Sequence, residues 1–219
     1  MRAAGSLLAV SPDLPLKDYA EALREERTRL EKIGGEGVER DVDATFNLSY
    51  ARLPAEAARV FRQLAVFPAD FDAAAEEVVA EDPGHAQLSA LLRYSLVEYT
   101  PPPPAGQGRY RLHNLARLFA DRRLDEDERA GAAERHAEHY ARVLAAADVL
   151  YRQGDALAGL GLFDRERAHI EAGQAWAAAR AGVDPAAAAL CSAYPDAGAY
   201  VIDLRLHPRA QIAWLEAAL

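Results

Sequence analysis

Residues 101–108 read Pro-Pro-Pro-Pro-Ala-Gly-Gln-Gly, a run that admits neither helix nor regular strand in a chain whose other patterns are mostly helical. The prolines carry no amide donor and the two glycines add backbone freedom, so the run is a loop. On one side lies Ser95–Thr100, where Leu96, Val97 and Tyr99 supply the apolar and aromatic positions. On the other, Tyr110 and Leu112 alternate with Arg109 and Arg111. Alternation of that kind marks a half-buried strand. The expectation is a two-stranded hairpin with a long tip, followed by a helix.

Short helices precede the hairpin. Pro54 suits a first helical turn, Ala57, Val60, Phe61, Leu64 and Ala65 follow at helical spacing, and Pro68 stops the segment. Phe71–Ala80 and His85–Tyr94 read as two more helices around the turn Asp82-Pro83-Gly84. Helices, then a two-stranded wing, then a helix is the order of a winged helix. Upstream, Gly5–Ile33 reads as two helices broken at Ser11–Pro15, with Leu16, Tyr19, Leu23 and Leu30 near one face. Gly34, Gly35 and Gly37 make a joint there.

Beyond Asp125 the chain reads as almost wholly helical. Ala133, Ala137, Tyr140, Ala141 and Leu144 form one stripe, and Asp164 reads as the cap of a helix containing Ile170 and Trp176. Asp184-Pro185 opens another helix, and Pro208 a last one with Ile212, Leu215 and Leu219. Short connections favour antiparallel neighbours. The expected fold class is therefore mainly α: a winged helix with a small β-wing, flanked by helical segments and leading into an antiparallel, TPR-like helical array. The divisions fall at 1–37, 38–124 and 125–219. The abrupt helical start at Met1 and the uncapped apolar helix at Leu219 point to a piece of a longer protein.

Three stretches occur in a telling order: Leu48-Ser49-Tyr50-Ala51-Arg52-Leu53-Pro54, then Val60 to Phe71 with Phe67-Pro68-Ala69-Asp70 inside it, then Tyr110-Arg111-Leu112-His113-Asn114-Leu115. In this register they resemble the winged-helix region of the NB-ARC, or STAND-class, signalling ATPases. The third stretch is similar to that family's Met-His-Asp motif and the second to its Phe-Pro-Asp segment. Ala3 to Ala9 resembles the helix that follows its Gly-Leu-Pro-Leu motif. The resemblance covers about residues 3–124, and less specifically the helices after them.

It implies that His113 contacts the β-phosphate of bound ADP, with ADP or ATP and magnesium held mainly by a nucleotide domain outside these residues. The physics of the position agrees. Where a strand hands over to a helix, His113 lies near amide donors and the positive end of the helix dipole, which attract phosphate. The plainer reading is that His113 only helps cap the helix, with Asn114 sharing that role. Asn114 stands where the family has aspartate, so the charged pair of the family pattern is lost.

Neither of the two lysines, Lys17 and Lys32, belongs to a G-x-x-x-x-G-K-[ST] phosphate loop, so these residues are not expected to hydrolyse ATP. The implied role is regulatory. Nucleotide state would move the winged helix about the Gly34–Gly37 joint, and the trailing helices would relay this to protein partners, with homo-oligomers forming on activation.

Two rivals remain: a winged helix that binds DNA, and a stand-alone helical scaffold for protein partners. The net charge of −9 argues against nucleic acid, and the expected recognition helix offers Arg93 alone. One cysteine, Cys191, excludes an internal disulfide and reads as a buried, inert thiol. No signal peptide is evident in Met1–Val10, and no apolar run reaches the roughly 20 residues of a membrane span, so a cytoplasmic protein is expected. Arg117, Arg122 and Arg123 are expected to pair locally with Asp121 and the acids of 125–128. His136 and His139 lack a compact third ligand, so no metal site is expected. Trp176 and Trp214 read as helix-packing residues.

Overall fold

The computed structural model describes Glu21, residues 46–102 and residues 106–218. The expected helices of Gly5–Ile33, the Gly34–Gly37 joint and the 1–37 division fall outside the described residues, apart from Glu21. The chain forms two compact units. Val66–Ala69 and the residues from Glu126 onward make the second, and the rest makes the first. The fold is mainly α with one small antiparallel sheet.

In the first unit, residues 46–50 are helical. They are followed by α1 (Ala55–Gln63), which buries Ala57, Val60 and Phe61 and tightens into a 3-10 turn at Leu64–Val66. The next helix begins later than the apolar pattern implies. Asp72 caps α2 (Ala73–Ala80) by accepting from the Ala75 amide at 2.8 Å, and Phe71 is left extended. Phe71 instead bridges to Tyr110, with amide-to-carbonyl bonds of 2.9 and 2.7 Å in the two directions. α3 (Ala86–Arg93) follows; its first amides are satisfied by the Asp82 carboxylate, which accepts from Gln87 and Leu88 at 2.9 Å each.

β1 (Glu98–Thr100) and β2 (Arg109–Arg111) pair antiparallel, with Tyr99 opposite Tyr110. Leu96 and Val97 are buried just before β1, so the apolar part of the expected strand is core-packed connection rather than ladder. α4 (Asn114–Asp121) closes the unit, burying Ala116, Phe119 and Ala120. Phe119 completes an aromatic cluster with Phe46, Tyr50 and Phe61, at centroid distances of 5.5, 5.7 and 6.3 Å.

The second unit is an up-and-down array. α5 (Glu126–Arg152) and α6 (Ala156–Arg180) form a long antiparallel hairpin, turning at residues 153–155, where Gly154 takes φ +96°. At 27 and 25 residues these helices are longer than a 34-residue repeat of two helices allows. Near the turn the backbones come so close that a Cβ on Gly159 would lie 2.6 Å from the Ala147 carbonyl oxygen. The expected cap at Asp164 is displaced. Asp155 caps α6, accepting from the Ala158 amide at 3.2 Å, and Asp164 lies inside the helix paired with Arg205 at 2.9 Å. The close crossing near the turn needs the small residue at 159.

α7 (Pro185–Ala197) opens on the Asp184-Pro185 cap, as expected. Its Tyr194 donates to the Ala137 carbonyl at 2.7 Å. Pro195 and Gly198 then end the helix, and α8 (Ala199–Arg205) starts with no cap of its own. Asp148 of α5 supplies one, accepting from the Tyr200 and Val201 amides at 2.9 and 3.3 Å while itself only 4% exposed. We expect Asp148→Ala to lower the unfolding free energy by about 1–3 kcal/mol, because one buried and one part-buried amide lose their acceptor. Urea denaturation checks this, and an unchanged midpoint would show that water replaces the carboxylate. α9 (Pro208–Ala217) opens at Pro208 as expected, but Ile212 and Leu215 are exposed and Trp214 is its buried residue. Among the described residues no helix is long and apolar enough to cross a membrane.

Candidate nucleotide-reading site

Burial of Phe119 fixes α4, and α4 in turn fixes the residues at its start. Leu112 is 4% exposed and ends the wing in the core. His113 follows as the first exposed residue of the turn. The cap falls on His113 itself rather than on Asn114: Nδ1 accepts from the Leu115 amide at 3.3 Å, and Asn114 is the first residue of the helix. The reason is backbone geometry. His113 is extended (φ −57°, ψ 144°), so its side chain can fold back over the first turn.

The hydrogen bond also assigns the tautomer. With Nδ1 accepting, the ring proton sits on Nε2, which is left to donate outward. His207 caps α9 the same way, accepting from the Arg209 amide at 3.2 Å. The cap by itself therefore carries no ligand information; the surroundings of His113 must supply it.

Residues of the three stretches that carry the resemblance touch one another within the first unit, apart from Val66–Ala69, which belong to the second. The Tyr50 ring lies 6.0 Å from Phe61, and the Tyr50 hydroxyl accepts from Arg62 Nη1 at 2.7 Å, which joins the first stretch to the second. The Phe71–Tyr110 bridge joins the second to the third, two residues before Leu112.

The arginines near α4 divide. Arg123 donates to Asn47 Oδ1, and its guanidinium stacks 3.5 Å from the Phe119 ring centre, so it is part of the aromatic cluster. Arg117, one turn below His113, is half-buried and makes no ion pair among the described residues. It stands on the same helix face as His113 by its i, i+4 spacing. The expectation of local pairing fails for Arg117, and no sequence signal distinguished it from its neighbours. On the wing, Arg109 pairs with Asp70 at 3.1 Å and Arg111 with Glu98 at 3.7 Å, so both wing cations already face acids.

A titratable group that sequence reading missed lies elsewhere in the same unit. Glu76 is fully buried on α2, and its Oε2 is 2.8 Å from His85 Nδ1. Burial first, and then the charge of Asp82, push its carboxyl up to about 9.

In the second unit His136 and His169 are both buried, with Nε2 and Nδ1 3.3 Å apart. Phe67 lies against both rings, at centroid distances of 5.4 and 5.7 Å. Burial, and then His169, bring His136 down to about 3 and keep it neutral. His136 thus faces α6 and not a ligand set with His139, and among the described residues no group of three metal ligands occurs. Cys191 is buried, its thiol raised by burial, and donates to the Ala217 carbonyl.

No protein-family model matches the chain, and no solved structure matches it. Two curated proteins do. The regulatory protein AfsR of Streptomyces coelicolor is 34% identical over 166 residues, 72% of this chain and 16% of that protein. The regulatory protein AfsR of Streptomyces griseus is 34% identical over 164 residues, 71% of this chain and 16% of that protein. The chain therefore spans about one-sixth of the length of the curated relatives it matches, and over most of its own length it is similar to a segment of a regulatory protein.

Proposed function

We propose that the chain is a regulatory part of a nucleotide-switched signalling ATPase and that its winged helix reads the bound nucleotide through His113. The observation that carries this reading is the placement of His113. Residues of the three stretches with the family's order come together in the first unit, Val66–Ala69 apart, and they leave the imidazole exposed at a helix start with Nε2 as the donor. Similarity to AfsR supports a regulatory role.

In this reading Nε2–H donates to the β-phosphate of ADP, the first-turn amides of α4 add their positive field, and Arg117 stands one turn away as a cation for the same anion. ATP, with its magnesium, changes the charge and shape at that point. The winged helix then shifts its equilibrium between two positions. Any hydrolysis requires a phosphate loop outside these residues. The helices of the second unit pass the change to protein partners, and assembly of copies accompanies activation.

The test uses a longer protein that carries the phosphate loop. His113→Ala should speed ADP release about tenfold or more, the size of one hydrogen bond to a charged group. His113→Asn keeps a good cap but moves the donor, so it should release ADP as fast as the alanine variant while retaining stability. Unchanged ADP release in both variants would refute the role given to His113.

A further inference from the structure

The last two helices of the second unit carry exposed apolar side chains among the described residues. Tyr200 and Leu204 of α8 and Ile212 and Leu215 of α9 are each 50–56% exposed. Between α7, α8, α9 and the end of α5 lies an open groove of about 540 Å³, with Ile202 and Trp214 among its lining residues at 7% and 8% exposure. Exposed apolar residues scattered singly need no explanation, but a continuous face with a groove in it marks an interaction site.

Charge says what kind of partner fits. Asp196 and Asp203 line the same groove, both are exposed, and neither meets a cation among the described residues. The nearby arginines are engaged elsewhere: Arg205 pairs with Asp164 at 2.9 Å, and Arg152 is 3.9 Å from Asp148 with its guanidinium over the Tyr200 ring. We propose that this face docks an amphipathic helix of a protein partner, with apolar side chains set into the groove and basic residues over Asp196 and Asp203.

Two other occupants fit less well. Ile212 is absent from the groove lining and adds exposed apolar surface on α9 outside it, which a small molecule seated in the groove leaves uncovered. A second copy bound about a two-fold axis would bring the same unpaired carboxylates onto one interface, where they repel. A helix with leucines at i, i+3 or i+4 and i+7 covers the length, and its basic flanks complement the rim.

The inference does not depend on nucleotide reading and is tested on the 219-residue chain alone. The probes are two fluorescein-labelled 18-residue helical peptides with the same leucine face, one flanked by arginines and one by glutamates, followed by fluorescence anisotropy. The arginine peptide should bind and the glutamate peptide should not. Added salt should weaken binding, and Asp196→Asn with Asp203→Asn should weaken it about tenfold. Leu215→Asp should abolish it. All three positions are exposed, so these variants keep the fold. Binding of neither peptide, or equal binding of both, overturns the proposal. So does concentration-dependent self-association of the chain that Leu215→Asp removes, which would give the face to a second copy.

Discussion

Phe119→Ala should destabilise the first unit by about 3–5 kcal/mol, the usual cost of emptying a buried phenylalanine site. Phe119 is 1% exposed and touches the rings of Phe46, Tyr50 and Phe61. It also holds the Arg123 guanidinium, which in turn donates to Asn47. One truncation thus leaves a cavity among three rings and frees a cation from its stack. Domain stabilities are about 5–15 kcal/mol, so the loss is a large share of the total. Urea unfolding followed by near-ultraviolet circular dichroism reads it. Leu118→Ala, one residue away but 46% exposed, is the control and should shift stability by no more than about 0.5 kcal/mol. Similar shifts in the two variants would mean that the ring cluster does not hold α4.

Glu76→Gln should do the opposite and stabilise the unit, with an effect that grows with pH. The carboxyl of Glu76 is raised from 4.5 to about 9 in the folded protein, by burial first and then by Asp82, with Glu77 adding a smaller push. The folded state therefore keeps a proton that the unfolded chain releases above about pH 4.5, and stability falls as pH rises from there towards 9. Near pH 7 the cost of Glu76 reaches up to about 3 kcal/mol. Glutamine carries no charge to bury, and its amide can hydrogen-bond with His85 Nδ1, which lies 2.8 Å from the Glu76 carboxyl. Urea midpoints of the two proteins should coincide near pH 5 and separate by pH 8. Parallel curves across that range would show that Glu76 is ionised in the fold and held by the imidazole of His85.

Elements with a local cause were legible in the sequence. The proline run separated two strands, Asp184-Pro185 and Pro208 opened their helices where expected, and the alternation of Arg109 to Leu112 gave a strand. What was not legible depended on partners distant in sequence. Phe71 looked like the first apolar residue of a helix, but Tyr110 draws it into a bridge. Asp164 looked like a helix cap, but the helix is capped at Asp155 and Asp164 pairs with Arg205 from inside it. The cap at α8 could not be read near Gly198, since its acceptor is Asp148 on α5. The candidate site divides in the same way. The place of His113 at a strand-to-helix junction followed from neighbouring residues, whereas the tautomer of His113, and the absence of an ion pair to Arg117 among the described residues, required the three-dimensional arrangement.

The position of Phe67 bears on how the chain is made. Its ring is 2% exposed and rests on His136 and His169, which belong to α5 and α6. During synthesis Phe67 leaves the ribosome well before either histidine exists. The segment Val66–Ala69 therefore gains these two partners only when most of α6 has been translated. The second unit is complete only when this early piece of chain is taken up by helices made long after it.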